Sequence, residues 1–264
     1  MKTIYIVFPF HKSIAIHTSC EEVIEHIRLK YPPYVYDACT NESIEITING
    51  NHNEFIITNQ ANHITTSTPM TIINTIIHQT RNISADFYAF HGAAIEKNTK
   101  VYVFLASTKT GKTTLTCYLN HNGFGYMTDD CILINKQTLA VHPFVLPMNL
   151  RLGGLNVLKQ SGINCETAPC IEERYIVQPM NICETPQKIG AVFFLNRTDN
   201  YNLIETCSYE DKFLKLLCSS MTVQDVQKDN LSFIQHLSKI PCFNLKYSKF
   251  DYVVDVINKM DISM

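Results

Sequence analysis

The most constraining feature of this chain is an unbroken apolar run that leads through a tight turn into a helical pattern. The run KVYVFLA, residues 100–106, has the continuous hydrophobicity of a strand buried on both faces. After a glycine-containing turn, the residues from Lys112 to about His121 are predicted to form a helix that Gly123 closes. This strand-turn-helix unit predicts an α/β fold.

The turn itself, ASTKTGKTT at residues 106–114, fits the phosphate-loop pattern G-x-x-x-x-G-K-[ST] except at Ala106. In such a loop, backbone N–H groups and the helix N-terminus surround a phosphate, the lysine reaches the β- and γ-phosphates and the next hydroxyl binds Mg²⁺. Alanine costs little at Ala106 if φ is negative, and about 1 kcal/mol if φ is positive. The predicted nucleotide contacts are Ser107, Thr108, Lys109, Thr110, Gly111, Lys112, Thr113 and Thr114, with Thr113 as a metal ligand.

Two adjacent carboxylates, Asp129 and Asp130, follow sixteen residues after Thr113, on what we expect to be the next strand. Neighbouring strand residues point to opposite faces, so one carboxylate can face the phosphates while the other braces the site. One aspartate would anchor Mg²⁺ and a second would accept a proton from a hydroxyl, which is the equipment of a kinase. The alternative is a pair of surface aspartates at a strand end.

His91 begins the strand that precedes the phosphate-loop strand in the sequence. Because sequential strands usually pair, its imidazole is expected beside the γ-phosphate or beside an aspartate. A purely structural histidine is the alternative.

Residues 1–85 are predicted to form an α+β subdomain rich in antiparallel strands, and residues 86–264 the nucleotide-binding domain. The subdomain begins with a hairpin, TIYIVFPF and SIAIHTS. A helix follows, with Ser19 as its cap and Glu22 completing a capping box. A second hairpin is expected to turn at Asn49-Gly50, and a second helix to start at Pro69.

The larger part continues with a strand at GYMTDDCILIN that pairs in a hairpin with LAVHPFVL. Residues 152–187 have no clear period and are expected to be loops and short helices, a candidate substrate lid. A buried strand, KIGAVFFLNR, precedes two helices, a last strand PCFNLKY and a closing helix.

Composition narrows the function classes. A net charge of -2 gives no support for nucleic acid or an anionic membrane as a partner, and no apolar run has the length of a bilayer span. The ten cysteines are scattered without C-x-x-C or a zinc-type spacing, which favours reduced thiols in a cytoplasmic protein.

The stretch FHGAAIEKNTKVYVFLASTKTGKTTLTCYLNHNGFGYMTDD resembles the catalytic core of the HPr serine kinase/phosphorylase family and its smaller relatives. These proteins share the fold of ATP-dependent phosphoenolpyruvate carboxykinases. The resemblance implies ATP and Mg²⁺ as cofactors, His91 near the reacting phosphate, and Asp130 as general base toward a serine hydroxyl. Asp129 would support that base or the metal.

One departure from the family is informative. The family's Glu-x-Arg-Gly signature has its nearest counterpart in NLRLGG, where Asn149 replaces the acidic residue and Arg151 is retained. Arg151 is therefore the candidate to stabilise the transferred charge, with a surface arginine near a loop as the alternative, whereas phosphorylase activity and HPr as substrate lose support. The resemblance implies a hydroxyl acceptor on a peptide or protein, such as a precursor peptide of a tailoring pathway. A nucleotide-binding module without transferase activity and a small-molecule kinase remain alternatives, and the oligomeric state is open.

Overall fold

The computed structural model describes residues 1–8, 13–39, 43–51, 54–58, 63–68, 86–165, 167–221 and 228–263. The chain is mixed α/β and contains several sheets. It divides into two compact units, one comprising Met1–Ala85 with Pro169–Ile176 and the other Asp86–Ala168 with Val177–Met264. No described helix is both long and apolar enough to cross a membrane.

The described strands are β1 (Lys2–Ile6), β2 (Ser13–Thr18), β3 (Val35–Tyr36), β4 (Ser43–Asn51), β5 (Glu54–Thr58), β6 (His63–Thr66), β7 (Phe87–Phe90), β8 (Gly92–Lys97), β9 (Lys100–Leu105), β10 (Gly125–Thr128), β11 (Ile132–Asn135), β12 (Ala140–His142), β13 (Met148–Arg151), β14 (Cys170–Ile171), β15 (Arg174–Val177), β16 (Gln187–Arg197), β17 (Leu203–Thr206) and β18 (Cys242–Tyr247). The described α-helices are α1 (Glu21–Lys30), α2 (Lys112–His121), α3 (Leu152–Gln160), α4 (Tyr209–Ser219), α5 (Lys228–Leu237) and α6 (Phe250–Ser263), and a 3₁₀ turn spans Pro32–Tyr34.

The first unit contains a six-stranded sheet in the order β3-β1-β2-β4-β5-β6. Strands β1 and β2 form the predicted antiparallel hairpin, and β2 runs parallel to β4. Helix α1 buries Val23, Ile24 and Ile27, a spacing that places all three on one helical face.

Two local predictions for this unit are wrong. The helix α1 begins one residue later than predicted: its N-cap is Cys20, which makes no side-chain cap bond, and not Ser19. The Cys20 N–H donates to the Thr18 hydroxyl at 3.1 Å. Asn49-Gly50 is not the hairpin turn but part of β4, and β4 continues until Asn51 pairs with Glu54. The helix predicted from Pro69 lies outside the described residues.

The second unit is built on a nine-stranded sheet whose main path is β10-β8-β9-β16-β12-β11-β7, with β18 beside β16 and β17 beside β18. Strand β9 is parallel to β16, and β16 is parallel to β18. Both β9 and β10 are antiparallel to β8, so they run in the same direction. The carboxyl ends of β10, β9, β16 and β18 therefore meet the amino end of β8 at one edge of the sheet, which we call the carboxyl edge.

Aromatic packing fixes the central strands of this sheet. Phe104 of β9 and Phe193 of β16 are paired in register, and their ring centroids lie 5.7 Å apart. Leu115 and Leu119 of α2 are completely buried. Burial of side chains of this size is worth about 1.5–3 kcal/mol each, which holds the helix and the loop before it in place.

The predicted strand GYMTDDCILIN is two strands. Its first part, β10, pairs with β8, and its second part, β11, pairs with β7 and β12; residues 129–131 separate them. The hairpin between β11 and β12 is confirmed, with residues 136–139 at its tip. Residues 152–187 contain α3 and the antiparallel pair of β14 and β15, and their role as a lid stays a prediction.

Candidate active site at the carboxyl edge

The turn between β9 and α2 closes on itself around Lys112. The Lys112 ammonium donates hydrogen bonds to the carbonyl oxygens of Ala106 at 2.8 Å and Ser107 at 3.0 Å. The Thr110 hydroxyl donates to the same Ser107 oxygen at 2.8 Å. Gly111, at the N-cap of α2, has φ +89°, a left-handed conformation that favours glycine. Ala106 is not among the residues with positive φ, so alanine is tolerated there.

Lys112 and the two aspartates form one electrostatic group. Lys112 is 6% exposed and Asp129 is 5% exposed, whereas Asp130 is exposed. Burial lowers the pKa of Lys112, and the negative charges of Asp129 and Asp130 oppose that shift. The carboxylates are thus close enough to the ammonium to favour its charged form.

The aspartates do not lie on a strand, contrary to prediction. They occupy the break that follows β10, where Asp130 has φ +76°. Asp is one of the few residues that enter the left-handed region at modest cost, since its short polar side chain can bond locally. The difference in burial between Asp129 and Asp130 therefore goes with the left-handed backbone at Asp130 and not with the alternation of side chains along a strand.

His91 lies between the aspartates and the loop. It directly precedes β8, and the pairing of Gly92 with Leu105 places it beside the beginning of the loop. Its Nδ1 is 3.1 Å from the backbone oxygen of Asp130. A carbonyl oxygen only accepts, so Nδ1 carries the proton and Nε2 keeps a lone pair in the neutral ring. The expected position beside an aspartate is found, although the contact is to the backbone.

Two residues that sequence reasoning missed also reach the loop. Arg197 and Tyr247 end the parallel neighbours β16 and β18 and are paired in register. A Cβ atom built on Gly111 would lie 3.8 Å from both the Arg197 Nη1 atom and the Tyr247 hydroxyl. The Arg197 guanidinium also lies over the Phe250 ring, 5.5 Å from its centroid. The sequence does contain a signal for Arg197, since it ends the predicted buried strand KIGAVFFLNR. In open α/β sheets, ligands bind at the carboxyl ends of strands.

Tyr247 is fully buried, and its hydroxyl has no hydrogen-bond partner among the described residues. Burial raises the pKa of this phenol to about 12, and the Arg197 charge partly opposes the shift. A buried polar atom without a partner costs about 1–3 kcal/mol. Its position beside Gly111 makes it a donor available to a ligand held by the loop.

The remaining predicted residues are distributed around this centre. Ser107, Thr108 and Lys109 are exposed at the loop tip. Thr113 is half-buried in the first turn of α2. Thr114 is buried, and its hydroxyl lies 2.6 Å from where a Cβ on Gly154 would lie. Arg151 is exposed at the start of α3, and within the described part of the chain no hydrogen bond or ion pair joins it to the loop.

The donor set defines what this edge can hold. The Thr113 hydroxyl and the Asp129 carboxylate are the hard oxygen ligands that Mg²⁺ prefers. Lys112, Arg197 and the helix N-terminus supply positive charge suited to phosphate oxygens. Asp130, the exposed carboxylate, is accessible to a second molecule.

Comparison with known proteins adds little to this description. Neither protein-family models nor curated protein sequences give a match. Among solved structures, the chain is similar to the HPr(Ser) kinase/phosphatase from Coxiella burnetii, with a TM-score of 0.35, 11% identity, and coverage of 67% of this chain and 92% of that chain. The likeness is weak.

Proposed function

We propose that this protein is an ATP- and Mg²⁺-dependent kinase that transfers the γ-phosphoryl group to a serine or other hydroxyl on a peptide or protein. The observation that carries the proposal is the Lys112 ammonium, folded into its own loop and acted on by the charges of Asp129 and Asp130. An HPr-kinase-like core over residues 86–264, with a separate subdomain over 1–85, is part of the same proposal.

The loop residues fit a nucleotide's phosphates. Lys112 donates hydrogen bonds to the loop carbonyl oxygens of Ala106 and Ser107, and it can exchange these for phosphate oxygens without unfolding the loop. Gly111 lacks a side chain on the face that Arg197 and Tyr247 approach. These groups supply one buried cation, one exposed cation and one buried hydroxyl donor around the same glycine.

Thr113 and Asp129 are the residues that would hold Mg²⁺. Bound there, the ion would neutralise phosphate charge and help to align the transferred group. Asp129 is buried beside Lys112, and its carboxylate therefore has a fixed environment.

Asp130 would accept the proton of the attacking hydroxyl. Its side chain is exposed, which allows an acceptor on a large molecule to reach it. His91 fixes the backbone at this point through its bond to the Asp130 carbonyl oxygen. In this proposal His91 orients the base, while Arg197 joins Arg151 as a candidate to stabilise the charge on the transferred phosphoryl group.

Radiolabel transfer tests this function. The protein is incubated with γ-labelled ATP and Mg²⁺ in lysate of its native cell. The Asp130→Asn variant is treated in the same way, and so is the control Asp255→Asn, which removes an exposed carboxylate on α6. Asn tolerates the left-handed backbone at position 130, so the variant removes the base and not the fold.

We expect label on a peptide or protein, found by mass spectrometry, that disappears with Asp130→Asn and persists with Asp255→Asn. Label confined to a small molecule would replace the proposal with a metabolite kinase. Binding of ATP with no transfer by any variant would leave a nucleotide-binding module and reject the kinase.

A further inference from the structure

Outside the carboxyl edge, helix α2 contributes to a second cluster of reactive side chains. Cys117 and His121 are separated by four residues and therefore lie on the same helical face. Cys165 reaches this face from the segment that follows α3. One ligand atom from each of the three residues lies within 4.8 Å of the other two.

The individual contacts place the three groups around a common point. Cys117 Sγ is 3.7 Å from His121 Nδ1, which donates a hydrogen bond to the Cys117 carbonyl oxygen at 2.9 Å. To bind a metal, the imidazole has to give up this bond or present its other nitrogen. Both thiols are buried, whereas the imidazole is half-buried. An ion could therefore enter past the imidazole, and water could complete its coordination from that side.

This geometry is close to that of a tetrahedral metal site. Zinc binds sulfur at about 2.3 Å and imidazole nitrogen at about 2.0 Å, so its ligand atoms stand roughly 3.5–3.8 Å apart. The cluster has to contract by at most about 1.3 Å to reach this spacing. Two thiolates and an imidazole form a soft ligand set, which selects thiophilic ions over Mg²⁺.

The buried pair Cys207 and Cys242 provides a contrast within the same unit. These thiols are also near each other, since the pKa of Cys242, raised mainly by burial, is raised further by charge on Cys207. They are not part of any metal-ligating group found among the described residues. The histidine is what distinguishes the Cys117 cluster from ordinary burial of small apolar side chains.

We propose that Cys117, His121 and Cys165 bind one thiophilic divalent cation, Zn²⁺ in the first instance, with water as the fourth ligand. The ion would join the C-terminal end of α2 to the segment after α3 and displace the protons of both thiols. Lys112 stands five residues before Cys117 and nine before His121 on the same helix, about 8 and 14 Å along its axis. The two proposed sites use different residues, although the charge of Asp129 reaches Cys117.

Metal titration of the full-length, reduced, metal-free protein tests the site. Zn²⁺ is added in competition with a chromophoric chelator, and the thermal midpoint is followed in parallel without nucleotide. Co²⁺ serves as a second probe, because thiolate ligands give it a charge-transfer absorption. We expect one ion per chain, a higher thermal midpoint, and cobalt absorption characteristic of sulfur ligands.

Three variants make the test specific. His121→Gln and Cys165→Ser are each expected to weaken Zn²⁺ binding at least tenfold, whereas Cys218→Ser, which removes an exposed thiol on α4, is expected to leave it unchanged. His121→Gln is decisive, because its half-buried position allows the fold to be retained and checked by circular dichroism.

Two results would overturn the proposal. The first is stoichiometric zinc binding that His121→Gln and Cys165→Ser leave unchanged, which would place the ion at other thiols. The second is a reduced protein that takes up no zinc; a Cys117–Cys165 disulfide in the air-oxidised protein would then identify a redox pair in place of a metal site.

Discussion

At the scale of single residues, the carboxyl edge contains conformations that folding alone does not favour. Asp130 has φ +76°, a left-handed conformation that Asp enters at modest cost and most other residues at about 1–2 kcal/mol. Tyr247 buries a hydroxyl that has no hydrogen-bond partner among the described residues. Such costs cluster at functional sites, where a ligand or a reaction makes use of them. Both residues are on the same edge as Lys112, which supports a binding role for that edge.

Lys112→Ala is the first prediction at this scale. ATP with Mg²⁺ at about 100 times its dissociation constant stabilises a protein by about 2.7 kcal/mol through mass action, which thermal unfolding detects. We expect the variant to lose this shift, because it removes the buried ammonium of the loop. Lys239→Ala, which changes an exposed lysine after α5, serves as the control. An undiminished shift in Lys112→Ala would remove the assignment of the phosphate loop.

Arg197→Gln tests which arginine acts on the transferred phosphoryl group. Arginines in this role are worth about 10³–10⁵ in rate, so we expect transfer to fall by at least 100-fold while nucleotide binding is largely kept. Arg151→Gln is the matched comparison, since its guanidinium is also exposed but has no described contact with the loop. A larger loss in Arg151→Gln, measured as single-turnover transfer, would reverse the assignment.

At the scale of elements, the site depends on how closely β8 approaches β9. A Cβ atom on Gly92 would lie 2.5 Å from the backbone oxygen of Phe104, closer than real contacts allow. The absence of a side chain there lets the two strands pair up to the start of the loop and brings His91 beside it. Gly92 is therefore a structural requirement of the site.

Gly92→Ala is accordingly expected to destabilise the protein by about 1–3 kcal/mol, because the obstructing atom belongs to backbone and cannot move aside. Gly153→Ala provides the control: it lies in α3 with no atom within 4 Å of an added Cβ, and alanine favours helix by about 1 kcal/mol. Urea unfolding measures both. Equal stability of Gly92→Ala and the parent protein would contradict the close approach.

At the scale of the whole molecule, local signals predicted most elements and the pairing of sequential strands, but not every turn and not the pairing of distant strands. The bounds of α2, Lys112 to His121, are confirmed because the loop and Gly123 mark both ends in the sequence. The prediction of a turn at Asn49-Gly50 is wrong. Extending β4 lets Ile48 pair with Ile57, both of them buried, and this pairing outweighs the local turn preference.

The same distinction applies to the candidate site. The loop, the aspartates and His91 occur within one continuous stretch of about forty residues, so their association could be predicted. Arg197 and Tyr247 come to the loop only because β9, β16 and β18 are parallel neighbours. No local pattern specifies that order, since strand pairing is decided by burial over the whole sheet.

The last prediction concerns the whole fold at alkaline pH. Burial raises the pKa of Cys207 to about 11, and those of Cys242 and Tyr247 to about 12, from ordinary values of 9.0 for thiols and 10.0 for phenols. Because the folded values are the higher ones, the unfolded chain ionises first. The stability held by the neutral groups is complete below about pH 9 and is lost as pH rises toward 12.

Each such group contributes a slope of up to about 1.4 kcal/mol per pH unit between its unfolded and folded pKa values. The free energy of unfolding in urea should therefore be nearly constant from about pH 7 to 8 and fall steeply from about pH 9 to 11. Cys242→Ala costs stability by itself, but its decline with pH should be shallower, since one of the ionising thiols is gone. A parent protein whose unfolding free energy stays level up to about pH 11 would show that these groups are not buried in their neutral forms.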